Sequence, residues 1–380
     1  MKIGFITTYF HPFRGGAEET VFHLANQISK NNEVHVFTSD RKNGKIINKK
    51  EELFNKIKIH RSSTLFRYRY YLTFYPSLLI NLLKYDLDVI HTNSLGFLWH
   101  DFCLLIKKIQ SPNTKIILTP HGPFMALKSY SFFQNLAKSI ISFIDKLFCG
   151  LYDKVIEVNP YQYSWLVDYG FKKSDIVHIP NGIDSSLLKI TKNNNVLKKY
   201  NLDNKFIISY VGRLHKYKGI DQVLKVLPDL INIRKDIVFV MMGQEGDFIN
   251  ELKSVVDSNK LNDNVRFLID KPDSDKFAIL QDSEIFVLPS EWEAFGVSIL
   301  EAMAKSNAVI STNTEGGKFL INKDNGLLYD FGDLKALKAC FIKLINNDSL
   351  RLNMQKVNHI KASNLTWQKI SKDVEKIYTS

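Results

Sequence analysis

Acidic side chains are in short supply along this chain: 39 Asp and Glu stand against 51 Lys and Arg over 380 residues, leaving a net charge of +12. Cysteine is scarcer, with only Cys103, Cys149 and Cys340. An odd number at wide spacing excludes a disulfide framework or a metal knuckle, and the apolar stretches around them suggest buried fillers. No run of about 18 uncharged apolar residues occurs, which removes a membrane-spanning helix. Met1 to Ile6 enters an apolar, strand-like run without the basic, apolar and small-residue order of a signal peptide, so a cytoplasmic protein is expected. Internal repeats and low-complexity tracts are lacking too. The basic residues are dispersed and form no recognition motif, which argues against a nucleic-acid partner.

What is present is the composition of a soluble globular protein, 45% hydrophobic and 24% charged. The length is too great for one ordinary core and suits two domains with a cleft between them. The positive charge is concentrated early: residues 1–180 hold 23 Lys and Arg against 14 Asp and Glu. An anionic partner is therefore expected on the first half. Arg61, Arg67, Arg69 and Lys84 flank Leu65, Phe66, Tyr68, Tyr70, Tyr71, Phe74 and Tyr75, a mixture suited to a lipid headgroup layer and so to peripheral membrane contact. A solvated basic face over a core helix has the same composition, and both readings stand.

Short apolar runs alternate with amphipathic stretches throughout, the pattern of βαβ units and parallel sheets. The first series of expected strands is 2–7, 33–38, 56–60, 88–91, 115–119, 154–158 and 175–179; the second is 206–211, 237–242, 265–268, 284–288, 308–311 and 326–329. Residues 17–30 read as the clearest helix, with Val21, Leu24, Ala25 and Ile28 on one stripe. A polar Lys- and Asn-rich interval separates the series. The expected organisation is a first doubly wound domain over 1–184, a linker over 185–205, a second such domain over 206–360, and a terminal helix within 361–380 packing back towards the first domain. Ligands of doubly wound sheets bind at the carboxyl ends of the strands, so the site search reduces to the loops that follow strands.

The richest such loop runs from Pro289 to Val297 and leads into a helical pattern. Gly296 stands where a helix begins, and amides at a helix start suit a phosphate oxygen. Glu293 in the loop and Glu301 on the helix can accept hydrogen bonds from sugar hydroxyls. Read alone, they fit equally well as a carboxylate stabilising the helix dipole and a solvated neighbour. Arg213 and Lys218, five residues apart after the strand 206–211, can converge on a diphosphate as fork and point charge. Gly15 and Gly16, between Arg14 and the first helix, permit close backbone approach without forming a three-glycine dinucleotide fingerprint. His121, before Gly122, follows the strand 115–119 and lies at a carboxyl end. Asn181 and Gly182, in the run Ile179 to Asp184, read as a turn where the chain crosses between domains.

Taken together, these segments resemble the retaining GT-B glycosyltransferases of family 4, from the first strand to the last helix. The most specific match is a Glu, seven residues, Glu pattern, Glu293 to Glu301, enclosing Phe295, Gly296 and Val297. Paired glycines, His-Gly, Pro-Asn-Gly-Ile-Asp and Gly-Arg with Lys-Gly recur in the same order. The resemblance implies an α/β GT-B fold of two doubly wound, Rossmann-like domains and a nucleotide-diphosphate sugar as donor, UDP- or GDP-linked. It implies retention of anomeric configuration and no metal or other cofactor. Glu301 would bind the nucleotide ribose, Glu293 and the Phe295–Val297 backbone the donor sugar, and Arg213 and Lys218 the diphosphate. Gly15 and Gly16 would serve the phosphate or acceptor side, and His121 the reacting hydroxyls. The acceptor expected for the basic, aromatic first half is a lipid-linked oligosaccharide or another surface-glycan or glycoprotein-glycan precursor.

Three departures qualify the match. Gly316-Gly317-Lys318-Phe319-Leu320 lacks the family's Pro and Glu, so contacts there do not carry over. Ile269 replaces a common glycine, which leaves the nucleobase open, and Lys305-Ser306-Asn307 replaces a small residue and glycine at a turn. Two rival functions share the sequence features: an epimerase of the same architecture, and a degenerate, non-catalytic transferase held at a membrane.

Overall fold

The computed structural model describes residues 1–13, 15–42, 45–68, 72–93, 95–121, 132–190 and 194–380. Arg14, Arg69, Tyr70, Tyr71 and Gly122 lie outside the described residues. The chain divides into two units, Met1–Gly182 with Trp367–Ser380, and Ile183–Thr366.

In the first unit the strands are β1 (Lys2–Ile6), β2 (Glu33–Ser39), β3 (Glu51–Phe54), β4 (Ile57–Ser62), β5 (Val89–Thr92), β6 (Lys115–Leu118), β7 (Lys154–Glu157) and β8 (Ile176–His178). They form one sheet in the order β8-β7-β6-β5-β1-β2-β4-β3. All pairs are parallel except β3 with β4. Helices α1 (Gly16–Ile28), α2 (Ser77–Lys84), α3 (Leu98–Gln110), α4 (Phe132–Lys146) and α5 (Tyr163–Tyr169) belong to this unit. Ile3, Phe5 and Ile6 of β1 have no exposed surface, as a central parallel strand covered on both faces requires. The stripe Val21, Leu24, Ala25 and Ile28 of α1 is buried. The C-terminal helix Trp367–Thr379 joins the same unit. Its Trp367 ring stacks on His23 of α1 at 6.2 Å, and its Tyr378 hydroxyl bonds His91 Nδ1 at 2.7 Å.

The second unit carries β9 (Phe206–Val211), β10 (Ile237–Gly243), β11 (Val265–Ile269), β12 (Ile285–Leu288), β13 (Ala308–Thr312) and β14 (Gly326–Tyr329). All are parallel, in the order β11-β10-β9-β12-β13-β14. Its helices are α6 (Asn194–Lys199), α7 (Ile220–Ile233), α8 (Ile249–Ser258), α9 (Asp273–Gln281), α10 (Val297–Ala304), α11 (Glu315–Leu320), α12 (Leu334–Ile345) and α13 (Asp348–Ser363). From β9 the chain builds outward through β10 and β11, then returns to add β12 on the other side of β9. That reversal is a topological switch point, where the loops leaving β9 and β12 diverge and open a crevice. Residues 185–205 hold a short turn of 3-10 helix, Ser185–Leu188, and α6.

Three expectations need correction. The edge strand β3 has no counterpart in the expected strands, because its sequence Glu51-Glu52-Leu53-Phe54 is half charged. The run from Arg61 to Tyr75 is not a basic face over a core helix: Phe66–Tyr68 pairs antiparallel with Leu72–Phe74. Within it Arg61 is buried, ion-paired with Glu52 at 2.7 Å and donating to the His11 carbonyl at 2.9 Å. Tyr75 is fully buried, while Leu65, Phe66 and Phe74 are exposed. Cys103 and Cys149 are buried fillers with thiols pushed up to about 12 by burial, but Cys340 is only half-buried. Among the described residues no helix is long and apolar enough to cross a membrane.

Candidate active site

The two loops at the switch point of the second sheet are bonded to each other. Gly219 ends the loop after β9 in the left-handed region, φ 62°, and a Cβ there would fall on the Pro289 carbonyl oxygen of the loop after β12. Only glycine allows the loops to approach so closely. The Glu291 amide then donates to the Tyr217 carbonyl at 2.8 Å, and Gln222 Nε2 to the Pro289 carbonyl at 3.2 Å.

This contact fixes the charged groups. Lys218 Nζ reaches Glu293 Oε1 at 2.5 Å, both side chains being largely buried, and Ser290 Oγ donates to the same oxygen at 2.8 Å. Burial works against the Lys218 ammonium, but the Glu293 carboxylate more than offsets it and holds the lysine above its ordinary range. Arg213 is exposed, with Nη2 3.4 Å from the Tyr217 hydroxyl, and its charge pulls the Lys218 value down. Arg213, Lys218 and Glu293 thus share one electrostatic neighbourhood. Its backbone is braced by buried Tyr210, whose hydroxyl donates to the Arg213 carbonyl at 2.9 Å.

Gly296 begins α10 at φ 80°, a left-handed position that turns the chain from loop into helix. The first amides of α10 have no acceptor within the helix, and α10 is the helix that follows β12. Phe295 is buried with its ring 5.8 Å from Phe319, and its carbonyl lies where a Cβ on Gly316 would fall. The Glu293 carbonyl accepts from the Gly316 amide at 3.0 Å. The second carboxylate is not merely solvated: Glu301 faces Lys276 of α9, with Nζ 3.3 and 3.4 Å from its two oxygens. Lys276 escaped the sequence reading, since 25 residues and a strand separate it from Glu301. Ile269 proves to be the last residue of β11, and Asp270 takes the left-handed turn position, φ 53°. Ser306 does the same at φ 61°.

In the first unit the reversal falls between β1 and β5. The Gly15 carbonyl accepts from the Glu19 amide at 2.9 Å. Among the described residues, a Cβ on Gly16 would meet no atom within 4 Å beyond its own chain neighbours and helix backbone. His121 sits at φ 52°, a strained position for a side-chain-bearing residue, with Nε2 3.1 Å from Asn93 Oδ1. Burial lowers its pKa to about 4, so its imidazole is neutral near pH 7. Beside it Thr119 Oγ1 bonds His91 Nε2 at 2.7 Å, and His91, lowered to about 3 by burial, meets Tyr378 at its other nitrogen. Asn93 and His91 were also missed; both follow or lie in β5, the strand next to β1 at the reversal.

The second unit therefore offers a cationic fork, an ammonium and helix-start amides for an anionic group, with carboxylates for hydroxyls nearby. Residues 192–359 match the family described as glycosyl transferases group 1, and residues 14–187 match glycosyltransferase family 4. An uncharacterised glycosyltransferase of Methanocaldococcus jannaschii is 24% identical across all of this chain and 98% of its own. A capsular polysaccharide biosynthesis glycosyltransferase of Staphylococcus aureus, CapM, is 27% identical over 58% of each chain. Among solved structures, Anabaena HepE in complex with UDP-glucose superposes with a TM-score of 0.79 at 17% identity, covering all of this chain and 99% of its own.

Proposed function

Because the chain belongs to the glycosyl transferases group 1 family, and is a glycosyltransferase of GT-B fold, we propose that it moves a hexose-type sugar from a UDP- or GDP-linked donor to a glycan with retention of anomeric configuration. The donor half rests on one observation: Arg213, Lys218, Glu293 and the start of α10 meet at the switch point of the second sheet. Arg213 and Lys218, with the α10 amides, neutralise the diphosphate as it departs. No divalent ion is assigned that duty. Glu293, tethered to Lys218 and Ser290, and the Phe295–Val297 backbone hold the donor sugar, and Glu301, steadied by Lys276, accepts from the ribose hydroxyls. HepE's complex with UDP-glucose supports a donor of that class.

Gly15 and Gly16 serve the phosphate or acceptor side, and neutral His121 the reacting hydroxyls. The acceptor we assign is a lipid-linked oligosaccharide or another precursor of a surface polysaccharide or glycoprotein glycan, approached from the cytoplasmic face of a membrane. The capsular polysaccharide role in CapM's name favours that class. The test is a panel of UDP- and GDP-hexoses, first by thermal shift and then, for the sugar that binds, by transfer of label to lipid-linked glycan in the presence of EDTA. One donor should raise the melting temperature, since a ligand of the folded state stabilises it, and label should reach the glycan. A melting temperature indifferent to every nucleotide sugar would sink the proposal, and a need for added divalent ion would remove its metal-free part.

A further inference from the structure

Helix α4 is turned inside out relative to a helix that covers a core. Phe132, Phe133, Leu136, Ile140, Phe143 and Ile144 are between 36% and 79% exposed. At about 3.6 residues per turn these six fall on one stripe roughly 120° wide. The helix's single acid points the other way: Asp145 is buried, receiving the Tyr169 hydroxyl at 2.7 Å. A helix that folds onto its own domain sends its apolar stripe inward. Here the acid goes inward and the phenylalanines outward. The adjoining helix α3 exposes a second row, Phe102, Leu105 and Ile109, at helical spacing.

The charge at the stripe's edge is positive. Lys146 is exposed there, its Nζ 5.5 Å from the Tyr169 ring centre. It belongs to the half of the chain that holds 23 Lys and Arg against 14 Asp and Glu. A second copy of this chain, meeting the stripe about a two-fold axis, would set like charges against like. A surface with an anionic face over an apolar interior matches both features.

We propose that α4, with the exposed row of α3, lies in the headgroup layer of an anionic membrane, its phenylalanines buried among the acyl chains and Lys146 at the phosphates. The proposal deepens the reading of a lipid-borne acceptor, and its test uses neither donor nor acceptor. The full chain is sedimented with vesicles of phosphatidylcholine alone, and with vesicles containing a quarter phosphatidylglycerol, at low and high salt. It should pellet with the anionic vesicles and be released by salt. The triple variant Phe133→Ser, Ile140→Ser, Phe143→Ser should lose at least about tenfold in partition, and Lys146→Glu should lose binding at low salt only.

All four positions are exposed, so the variants keep their fold; an unchanged melting temperature checks this, and Phe143→Ser alone replaces the triple variant if it does not. Failure of the wild type to pellet overturns the proposal, as does full binding by the triple variant. Self-association abolished by the triple variant, with no vesicle binding, also overturns it and names a second copy as the occupant. Calorimetric binding of the nucleotide sugar, located in the other unit, should be untouched by these substitutions. Loss of donor binding in the wild type would sink the donor assignment and leave the vesicle result standing.

Discussion

Gly219→Ala tests the close backbone approach that joins the two switch-point loops of the second unit. The new methyl group would fall on the Pro289 carbonyl oxygen and press on Gln222 and Phe331, at a residue whose φ is 62°. The left-handed backbone costs a side-chain-bearing residue about 1 kcal/mol. Relieving the overlap requires the Pro289 loop to retreat by roughly 1 Å, and overpacking of that kind costs about 1–3 kcal/mol more. Gly332→Ala is the control, because Gly332 also has positive φ, 91°, but a Cβ there meets nothing within 4 Å. It should cost about 1 kcal/mol. Urea unfolding followed through the second unit should therefore rank Gly219→Ala below Gly332→Ala by about 2 kcal/mol. The retreat also carries Glu293 away from Lys218, so transfer by Gly219→Ala should fall about a hundredfold, with Gly332→Ala near wild type. Equal stability of the two variants, or full transfer by Gly219→Ala, would refute the claim that this contact positions the site.

Gly16→Ala should leave the melting temperature unchanged or slightly raised, since alanine favours the helix start and the methyl group meets no side chain of the described residues; a fall in kcat/KM of about tenfold or more would then mark a ligand at that spot, and unaltered kinetics would remove Gly16 from the site. Arg213→Ala should lower kcat about a hundredfold with a modest effect on donor affinity, whereas Glu301→Ala should weaken donor binding about tenfold by calorimetry with the smaller effect on kcat; near wild-type behaviour in both discards the donor assignment. Acid should unfold the first unit. Burial holds His91 and His100 at about 3, and His60 and His121 at about 4, all below the ordinary 6.5. The unfolded chain binds protons that these folded imidazoles refuse, so their contribution is present above pH 6.5 and drains away as pH falls towards 4, at up to about 1.4 kcal/mol per pH unit for each. Glu157, raised to about 7 by burial, acts in the opposite sense between 4.5 and 7, as do the buried Asp101 and Asp145, both raised; these three carboxyls stand against the four imidazoles, to which His35 and His178, also lowered by burial, add in the same direction. A first-unit unfolding midpoint constant from pH 7 to 5 would contradict this.

The strands were legible because parallel sheets bury both strand faces and so spell continuous apolar runs; Phe206–Val211 is a strand over the expected residues. The switch-point loops were legible for a related reason, since glycine and charge stand out against such runs. What stayed hidden was pairing across the chain. Lys276 meets Glu301 only because α9 and α10 come together, and Asn93 meets His121 only because β5 and β6 are neighbours. Arg61 was read as a surface cation because its partner, Glu52, sits on an edge strand too polar to be recognised. Composition reported the amphipathic character of Arg61 to Tyr75 but not its orientation, and orientation decides whether such a residue is a strut or a contact.

The helix Trp367–Thr379 belongs to the unit that begins at Met1, and the whole of Ile183–Thr366 lies between. Domains ordinarily fold in the order in which the ribosome delivers them. Here the order is inverted for completion: the unit begun first is finished last, because Trp367, Ile370, Val374 and Tyr378 fill its interior and Tyr378 supplies the partner of His91. Until those residues emerge, a nascent chain carries a finished second unit and a first sheet with part of its packing still unmade. A truncation that removes them would therefore damage the first unit while sparing Ile183–Thr366.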